Sequence, residues 1–445
     1  MTDDRPRGEA YVQALMEQDR RPVPASLRAA AFDDPGPVAV PPTRYTSRAY
    51  HDLEVERLWK RVWQMACREE DIPAVGDHVV YDIADLSLIV VRSGPGRIQA
   101  FHNSCLHRGT QLRAASGHAD EFRCPFHGFT WHLDGTLARI PCAWDFPEIE
   151  PSTFCLPEAR VGTWGGFVFV NVDPGSPSLE EYLEILPAHF ASWPLEDRWK
   201  SAHAVRIVPC NWKVAMEAFI ESYHTVAVHP QLLRTTGDTL TEYDIWPGSS
   251  HVSRMITPVG MPSEHVERAV TDEEILGLMF LTKDGPQPTE GASARSVIAD
   301  RIRSGIEAEA GREVPMSDTE AVDAVEYFVF PNFMPWPSYQ TPLVYRFRPN
   351  GNDPDSAVVD VMLLQPVPAS GRPPAMRPRL LEPGETWADV PELGFLGRIL
   401  NQDSSTFGRI QRGLKASVRP ALTLAHYQEV RIRHFHTTLQ AYIGC

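Results

Sequence analysis

Two short runs in the first third of the chain each pair a thiol with an imidazole. They are Cys105-Leu-His107 and, after sixteen intervening residues, Cys124-Pro-Phe-His127. Four such ligands suit a tetrahedral zinc. They suit equally a [2Fe–2S] centre with two cysteines on one iron and two histidines on the other. The common zinc site of two cysteines and two histidines keeps both cysteines in one half and both histidines in the other. Here each half is mixed, as a diiron cluster bridging two loops requires. A lone Cys or His is usually just a packed side chain. Two matched pairs with related flanks, HNSCLHRG (102–109) and CPFHGFTW (124–131), make chance the poorer reading.

A second set of candidate ligands lies in NWKVAMEAFIESYHTVAVHP, residues 211–230. The run is apolar on most sides, which predicts a buried helix from Asn211 to His229. Lys213, Glu217, Glu221 and His224 nevertheless fall at spacings of four, four and three, a polar stripe on one face. Buried ionisable groups need partners or a metal. His224 and His229 stand five apart, about 140° around an ideal helix. They converge on one ion only if the helix bends or ends between them, and Pro230 marks such an end. Two histidines satisfied within a core explain this segment, taken alone, somewhat better than a metal site does.

The elements that must carry these residues can be read around them. Residues 1–44, rich in Pro, Arg and Asp, read as an N-terminal arm with one short helix around Glu9–Glu17. Thr46-Ser47 can cap a helix in SRAYHDLEVERLWKRVWQMA. From Asp77 short β-rich runs take over (HVVYDI, LSLIVVRS, RIQAFHN) and continue to GGFVFVNVDP at 165–174. An all-β domain over 45–174, leading helix included, and a second domain over 175–445 follow. The second contains HAVRIV (203–208), a variable stretch to about 323 that includes ADRIRSGIEAEA, VEYFVF (325–330), SAVVDVMLLQPV (356–367) and helices from about 393. No internal repeat is visible.

Composition narrows the function classes. Basic residues number 42 and acidic 58, a formal charge of -16 with no Lys/Arg cluster, which argues against nucleic acid or an anionic membrane as partner. No run approaches the ~20 apolar residues of a membrane span. The opening MTDDRPRGEA lacks the basic and apolar segments of a signal peptide, so a soluble, cytoplasmic protein is expected. Seven cysteines are too few and too odd for a disulfide scaffold. Cys67, Cys142, Cys155, Cys210 and Cys445 read as ordinary thiols.

The first pair of loops resembles the Rieske family, whose signature is C-x-H followed by C-x-x-H at about this distance, and in particular the Rieske oxygenases. The 211–230 run resembles the mononuclear iron motif of the same aromatic-ring-hydroxylating oxygenases: N-W-K, an acidic residue, then D/E-x-x-H-x-x-x-x-H. The resemblance implies a [2Fe–2S] cluster on Cys105, His107, Cys124 and His127, and Fe(II) on His224 and His229 with one later carboxylate. In the family that carboxylate precedes a Q-x-G-L run. Gln402-Asp403 followed by Gln411-Arg-Gly-Leu414 selects Asp403, with Glu392 and Glu429 as fallbacks that lack those neighbours. A triad of two histidines and a carboxylate leaves positions for O2 and substrate.

Glu221 falls where family members carry the acidic bridge between the two metal centres. By resemblance it joins one subunit's iron to a cluster histidine, here His127, of the neighbouring subunit in a homotrimer. Aromatic dioxygenases usually have Asp at this bridge and Asn just after the first acidic residue; this chain has Glu221 and Ala218. Glu occurs in relatives that hydroxylate or demethylate. The implied fold class is α+β: an N-terminal all-β Rieske domain, then a helix-grip (START-like) catalytic domain with an antiparallel sheet. The implied function is that of the α (terminal oxygenase) subunit. It takes electrons from NAD(P)H through a reductase, with or without a ferredoxin, and uses O2 to hydroxylate a small aromatic or hydrophobic substrate. Ring dihydroxylation is the main expectation and monooxygenation or demethylation the alternative; an electron carrier or ligand-binding protein without a working iron, and a zinc protein, are the rivals. Phe219, Met216, Phe328, Phe330, Phe333, Met334 and Trp336 are candidate pocket walls, and Asn332 a candidate anchor.

Overall fold

A computed structural model describes residues 7–280 and 291–444, so Cys445 lies outside the described residues. The chain forms two compact units. One comprises His51–Tyr182 with Pro349–Asp353; the other comprises the residues up to Tyr50, Leu183–Arg348 and the chain from Pro354 onward.

The first unit is all-β. Its strands are β1 (Gln64–Arg68), β2 (Asp77–Ile83), β3 (Leu86–Gly94), β4 (Arg97–His102), β5 (Gly117–His118), β6 (Phe122–Arg123), β7 (Thr130–Trp131), β8 (Leu137–Arg139), β9 (Glu158–Trp164) and β10 (Phe167–Asn171). Seven form one sheet in the order β1-β10-β9-β4-β3-β2-β5, and β6-β7-β8 form a second, small sheet. The alternating runs read from the sequence become β2, β3 and β4. Helical spacing over 47–66, by contrast, persists only part of the way. Helix Arg48–Glu54 runs into a single wide turn at Val55–Trp59, and the last residues of the stretch enter β1, paired antiparallel with β10. All five residues of β1 are buried, and burial on both faces of a strand erases the period that separates strand from helix. The loops with the Cys/His pairs hang from the end of β4 and from the β6–β7 connection. Ile89, Val91, Phe101, Phe122, Phe129 and Trp131 pack into one core together with Cys105 and Cys124.

The second unit is built on an eight-stranded sheet. Its strands are β11 (Arg198–Val208), β12 (Glu242–Asp244), β13 (Val252–Thr257), β14 (Ala324–Val329), β15 (Phe333–Pro335), β16 (Leu343–Asn350), β17 (Asp353–Pro366) and β18 (Arg379–Leu380). Their order is β12-β13-β14-β15-β16-β17-β11-β18. Neighbours from β12 to β16 pair antiparallel, as do β11 and β17; β18 adds to β11 in parallel. The helices used below are α1 (Arg7–Met16), α2 (Trp212–Glu217), α3 (Thr225–Val228), α4 (Ala294–Ala310), α5 (Phe395–Ala416) and α6 (Val430–Ile443). Ten of the fourteen residues of α6 are buried, which makes it the helix held by the sheet. Phe435 of α6 packs edge-on to Phe328 of β14 at 5.9 Å.

The segment expected to form an N-terminal arm groups with this second unit. Gln13 of α1 donates to Glu242 of β12 at 2.9 Å, and Arg20 pairs with Asp318 at 2.9 Å. The helix expected over 211–229 is two short helices, α2 and α3, separated by seven non-helical residues. Bonds from outside the segment explain the break. Tyr243 Oη accepts from the Ser222 N–H at 3.1 Å, and Ser222 Oγ donates to the Asp238 carbonyl at 2.7 Å. These partners replace the intrahelical bonds at this point. Among the described residues no helix is long and apolar enough to cross a membrane.

Candidate metal centres

The two Cys/His loops of the first unit are local copies of one turn. Gly109 N–H donates to Cys105 O at 2.9 Å, and Gly128 N–H to Cys124 O at 3.1 Å. Each loop closes again through its cysteine N–H, which donates to Thr110 O or Phe129 O, both at 2.8 Å. Both glycines sit at positive φ, 78° and 76°, where a side chain would be strained. The turns bring Cys105 and Cys124 side by side, each 2% exposed. Burial raises the Cys124 thiol, but the N–H groups of Phe126 and His127 aimed at it outweigh that and hold it below the usual thiol range. The His107 ring stacks on Phe129 at 4.7 Å and lies 4.6 Å from the His127 ring. His107 Nδ1 is buried with no hydrogen-bond partner among the described residues, the condition of a nitrogen that ligates. His127 is exposed. Two adjacent thiols, two adjacent imidazoles and an apolar shell fit a [2Fe–2S] cluster.

In the second unit His224, His229 and Asp403 come together, with one ligand atom from each lying within 4.8 Å of the others. His224 immediately precedes α3 and His229 immediately follows it. The break ahead of α3 and the irregular backbone of His229 supply the convergence that a continuous helix would deny. Asp403 comes from α5, whose buried positions Gly397, Leu400, Asp403, Phe407, Gln411 and Leu414 form one stripe. His229 Nε2 stands 2.8 Å and His224 Nε2 3.5 Å from Asp403 Oδ1. The other ring nitrogens are held from behind: His224 Nδ1 donates to Glu221 Oε1 at 2.7 Å and His229 Nδ1 to Gln402 Oε1 at 3.0 Å. Such outer partners fix the tautomer of a metal-binding histidine and leave Nε2 for the ion. Burial pulls the His224 pKa down, yet the carboxylates of Glu221 and Asp403 raise it to about 10. The surplus charge here is negative, so a cation belongs in the site. Glu392 and Glu429 do not join the triad; Glu429 instead accepts from the Ala425 N–H at 2.6 Å.

One side chain ties α5 to the start of α2. Gln411 Oε1 accepts from the Asn211 N–H at 3.0 Å, while its Nε2 donates to Tyr45 O at 3.2 Å and to Asp355 Oδ1 at 2.7 Å. Asn211 in turn caps α2 through Lys213 N–H at 3.1 Å. The N-W-K and Q-x-G-L runs are therefore the two halves of one clamp that sets Asp403 against the histidines. Exchange of Gln402 for Ala should weaken iron binding by about 10–100-fold, measured by chelator competition, because His229 loses the acceptor that orients it.

A further group beside the triad was not anticipated. Arg44 Nη1 can only donate, so His436 Nδ1, 3.0 Å away, accepts. His436 Nε2 then carries the proton and donates to Glu217 Oε1 at 2.8 Å. Burial favours this neutral imidazole. Tyr45 Oη donates to the same carboxylate at 2.9 Å. Only the acidic position of Glu217 was visible in the sequence; Tyr45 and His436 lie far away along the chain. Glu217, Glu221, His224 and Asp403 share the wall of a cavity of about 240 Å³, closed by Val214, Ile410, Leu414, Leu422 and Ile432 among others. None of the aromatic candidates lines it. Phe328 and Phe330 pack on Phe435 of α6, whereas Phe219 meets Tyr345 at 4.7 Å and Phe347 at 5.4 Å. Asn332 spends its amide on the Phe347 carbonyl at 2.6 Å.

Residues 195–444, more than half of the chain, match the family described as ring hydroxylating alpha subunit (catalytic domain), and residues 62–150 match the Rieske [2Fe-2S] domain. The chain belongs to the ring-hydroxylating α-subunit family. Its two domains carry a Rieske [2Fe–2S] cluster and a mononuclear iron. Among relatives, choline monooxygenase of Beta vulgaris is 30% identical over 221 residues, 46% of this chain and 49% of that protein. Biphenyl 2,3-dioxygenase subunit alpha of Rhodococcus jostii is 33% identical over 214 residues, 46% of each. The chain thus spans about half the length of the curated relatives it matches. The fold is that of a quaternary ammonium Rieske monooxygenase solved with L-carnitine (TM-score 0.63, 17% identity, 91% of this chain and 95% of that one). Naphthalene 1,2-dioxygenase from Rhodococcus sp. is similar in fold as well (TM-score 0.59, 20% identity, 91% and 94%).

Proposed function

We propose that this protein is a terminal oxygenase that accepts electrons from NAD(P)H through a partner reductase, with or without a ferredoxin, and hydroxylates a small aromatic or otherwise hydrophobic molecule with O2. The observation that carries the reading is the arrangement at the triad: two imidazoles present Nε2 to one buried carboxylate while Glu221 and Gln402 hold their Nδ1 protons. Cys105, His107, Cys124 and His127 would hold the cluster, and His224, His229 and Asp403 the iron. When bound, the cluster supplies single electrons and the iron the coordination positions for O2. The protein's own part is positional. Glu221 accepts the His224 Nδ1 proton and backbone N–H, which fixes that ring. Gln402 accepts the His229 Nδ1 proton and fixes that ring, and the Gln411 clamp holds Asp403 in place. Phe129 and Trp131 keep water from the two thiolates.

Monooxygenation takes up O2, two electrons and two protons and yields one hydroxyl and water; ring dihydroxylation takes up the same and yields a cis-diol. Glu221 with Ala218 supports the first outcome, and relatives named for choline and for biphenyl represent both. Glu221, exposed His127 and a homotrimer in the cytoplasm complete the reading, with the bridge running from Glu221 to a neighbouring copy's cluster. The test is turnover under labelled O2 with a ferredoxin–reductase pair, followed by mass spectrometry of the product. One labelled oxygen in a hydroxylated product, or a demethylated product released with an equal amount of formaldehyde, supports monooxygenation, and two labelled oxygens in a cis-diol support dihydroxylation. A hydroxylated product without label contradicts the proposal.

A further inference from the structure

A phenol on the wall of the triad's cavity is left unused by the metal site. Tyr45 lines that cavity together with Glu217, Glu221, His224 and Asp403. It is 1% exposed, and three helices of the same unit hold it there. Its carbonyl accepts from Gln411 Nε2 at 3.2 Å, on the helix that carries Asp403. Its hydroxyl lies 2.9 Å from Glu217 Oε1 and 3.0 Å from Glu217 Oε2, at the end of α2. His436 Nε2 of α6 stands 2.9 Å from the same hydroxyl. Because Arg44 leaves the His436 proton on Nε2, Tyr45 Oη accepts from His436 and donates to Glu217.

One partner satisfies an ordinary buried tyrosine. This one has a neutral donor on one side and a carboxylate on the other, and that pairing is chemical. A phenol loses an electron far more readily when its proton leaves at the same moment, and a bonded carboxylate is there to take the proton. Burial and the charge of Glu217 keep the phenol protonated, so the proton is available. The Lys213 ammonium, 5.7 Å from the ring centre, opposes positive charge on the ring, so electron and proton must leave together. The phenolic oxygen left behind keeps the His436 N–H. Glu217 Oε1 keeps the same donor at 2.8 Å when Oε2 takes up the proton. By contrast Tyr223, beside His224 in sequence, is 46% exposed.

We propose that Tyr45 is a redox-active residue. When an oxidant reaches the His224–His229–Asp403 centre with no organic molecule to attack, Tyr45 gives that centre an electron and gives Glu217 its phenolic proton, which spares His224 and His229. The assignment goes beyond the oxygenase reading and rests on it. With hydrogen peroxide as oxidant the electrons balance. The peroxide takes up two electrons and two solvent protons and leaves as two water molecules. Iron(II) gives one electron and Tyr45 the other, and the Tyr45 proton stays on Glu217.

The full, iron-loaded chain, its cluster oxidised and therefore EPR-silent, is mixed with hydrogen peroxide without organic substrate, freeze-quenched and read by EPR. A tyrosyl signal should appear, and ring-deuterated tyrosine should collapse its proton splitting. Tyr45→Phe should remove the signal and increase oxidation of His224 and His229 in peptide mass spectra; Tyr223→Phe should keep the signal. Glu217→Gln replaces the charged acceptor with a neutral one and should lower the radical yield by about tenfold or more. If Tyr45→Phe does not fold, Glu217→Gln decides. No tyrosyl signal, a signal that survives in Tyr45→Phe, or one undiminished in Glu217→Gln overturns the assignment. Iron content of the same samples reports separately on the oxygenase reading. A chain without iron contradicts that reading and this assignment with it, whereas an iron-loaded chain without the signal contradicts only the role of Tyr45.

Discussion

Exchange of Asp403 for Ala should give a folded, coloured protein that has lost its mononuclear iron and its turnover. Asp403 is 3% exposed, and its carboxylate is where both histidine Nε2 atoms point. Burial raises its pKa, but the bonds to His224 and His229 outweigh that and keep it below the usual carboxylate range, so it is an anion ready to ligate. Without it, two imidazoles remain, held apart from each other by Glu221 and Gln402. Two neutral ligands hold a divalent iron far more weakly than a facial triad does. The cluster loops belong to the other compact unit and should be untouched. Metal analysis should therefore fall from about three irons per two acid-labile sulfides to about two, with product formation at background. Retention of the third iron with turnover would remove Asp403 from the site.

The second large effect is expected at Glu221. Glu221→Gln preserves size and leaves an oxygen for His224 Nδ1, but it removes a charge that is 8% exposed and lies against His224, a proposed iron ligand. Iron should stay bound, and the cluster should still be reducible by dithionite. Multiple turnover should fall by about 10–100-fold, the range seen when a partner of a metal-bound histidine is lost. Stopped-flow reoxidation of the prereduced cluster by O2 with substrate should slow in step. Glu221→Asp, which keeps the charge, should recover a large part of the rate. A variant with full turnover would show that the carboxylate only packs.

How much of this could be read from the residues depends on sequence distance. The cluster loops were legible because each Cys/His pair sits within a four- or five-residue turn and declares its own geometry. The short β runs around them were legible for the same reason. Asp403 lies 174 residues from His229 and was found only through its neighbours. The structure supplies the physical reason those neighbours matter, since Gln402 holds His229 and Gln411 bonds to Asn211. The break between α2 and α3 was not legible as a position, because apolar spacing continues through 218–224 while the competing bonds come from Asp238 and Tyr243. The N-terminal residues looked like an arm because the groups they meet, Glu242 and Asp318, lie hundreds of residues away. Glu217 with Tyr45 and His436 stayed hidden for that reason too: a buried polar pair leaves no periodic trace in either partner's own segment.

One chain should hold two distinct iron centres, one on Cys105, His107, Cys124 and His127 and the other on His224, His229 and Asp403. Quantitative iron, zinc and acid-labile sulfide analysis of protein purified without air, with its visible spectrum, tests it most directly. About three irons and two sulfides per chain in red-brown protein, with negligible zinc, is the predicted result. Colourless protein holding zinc and no sulfide would contradict it.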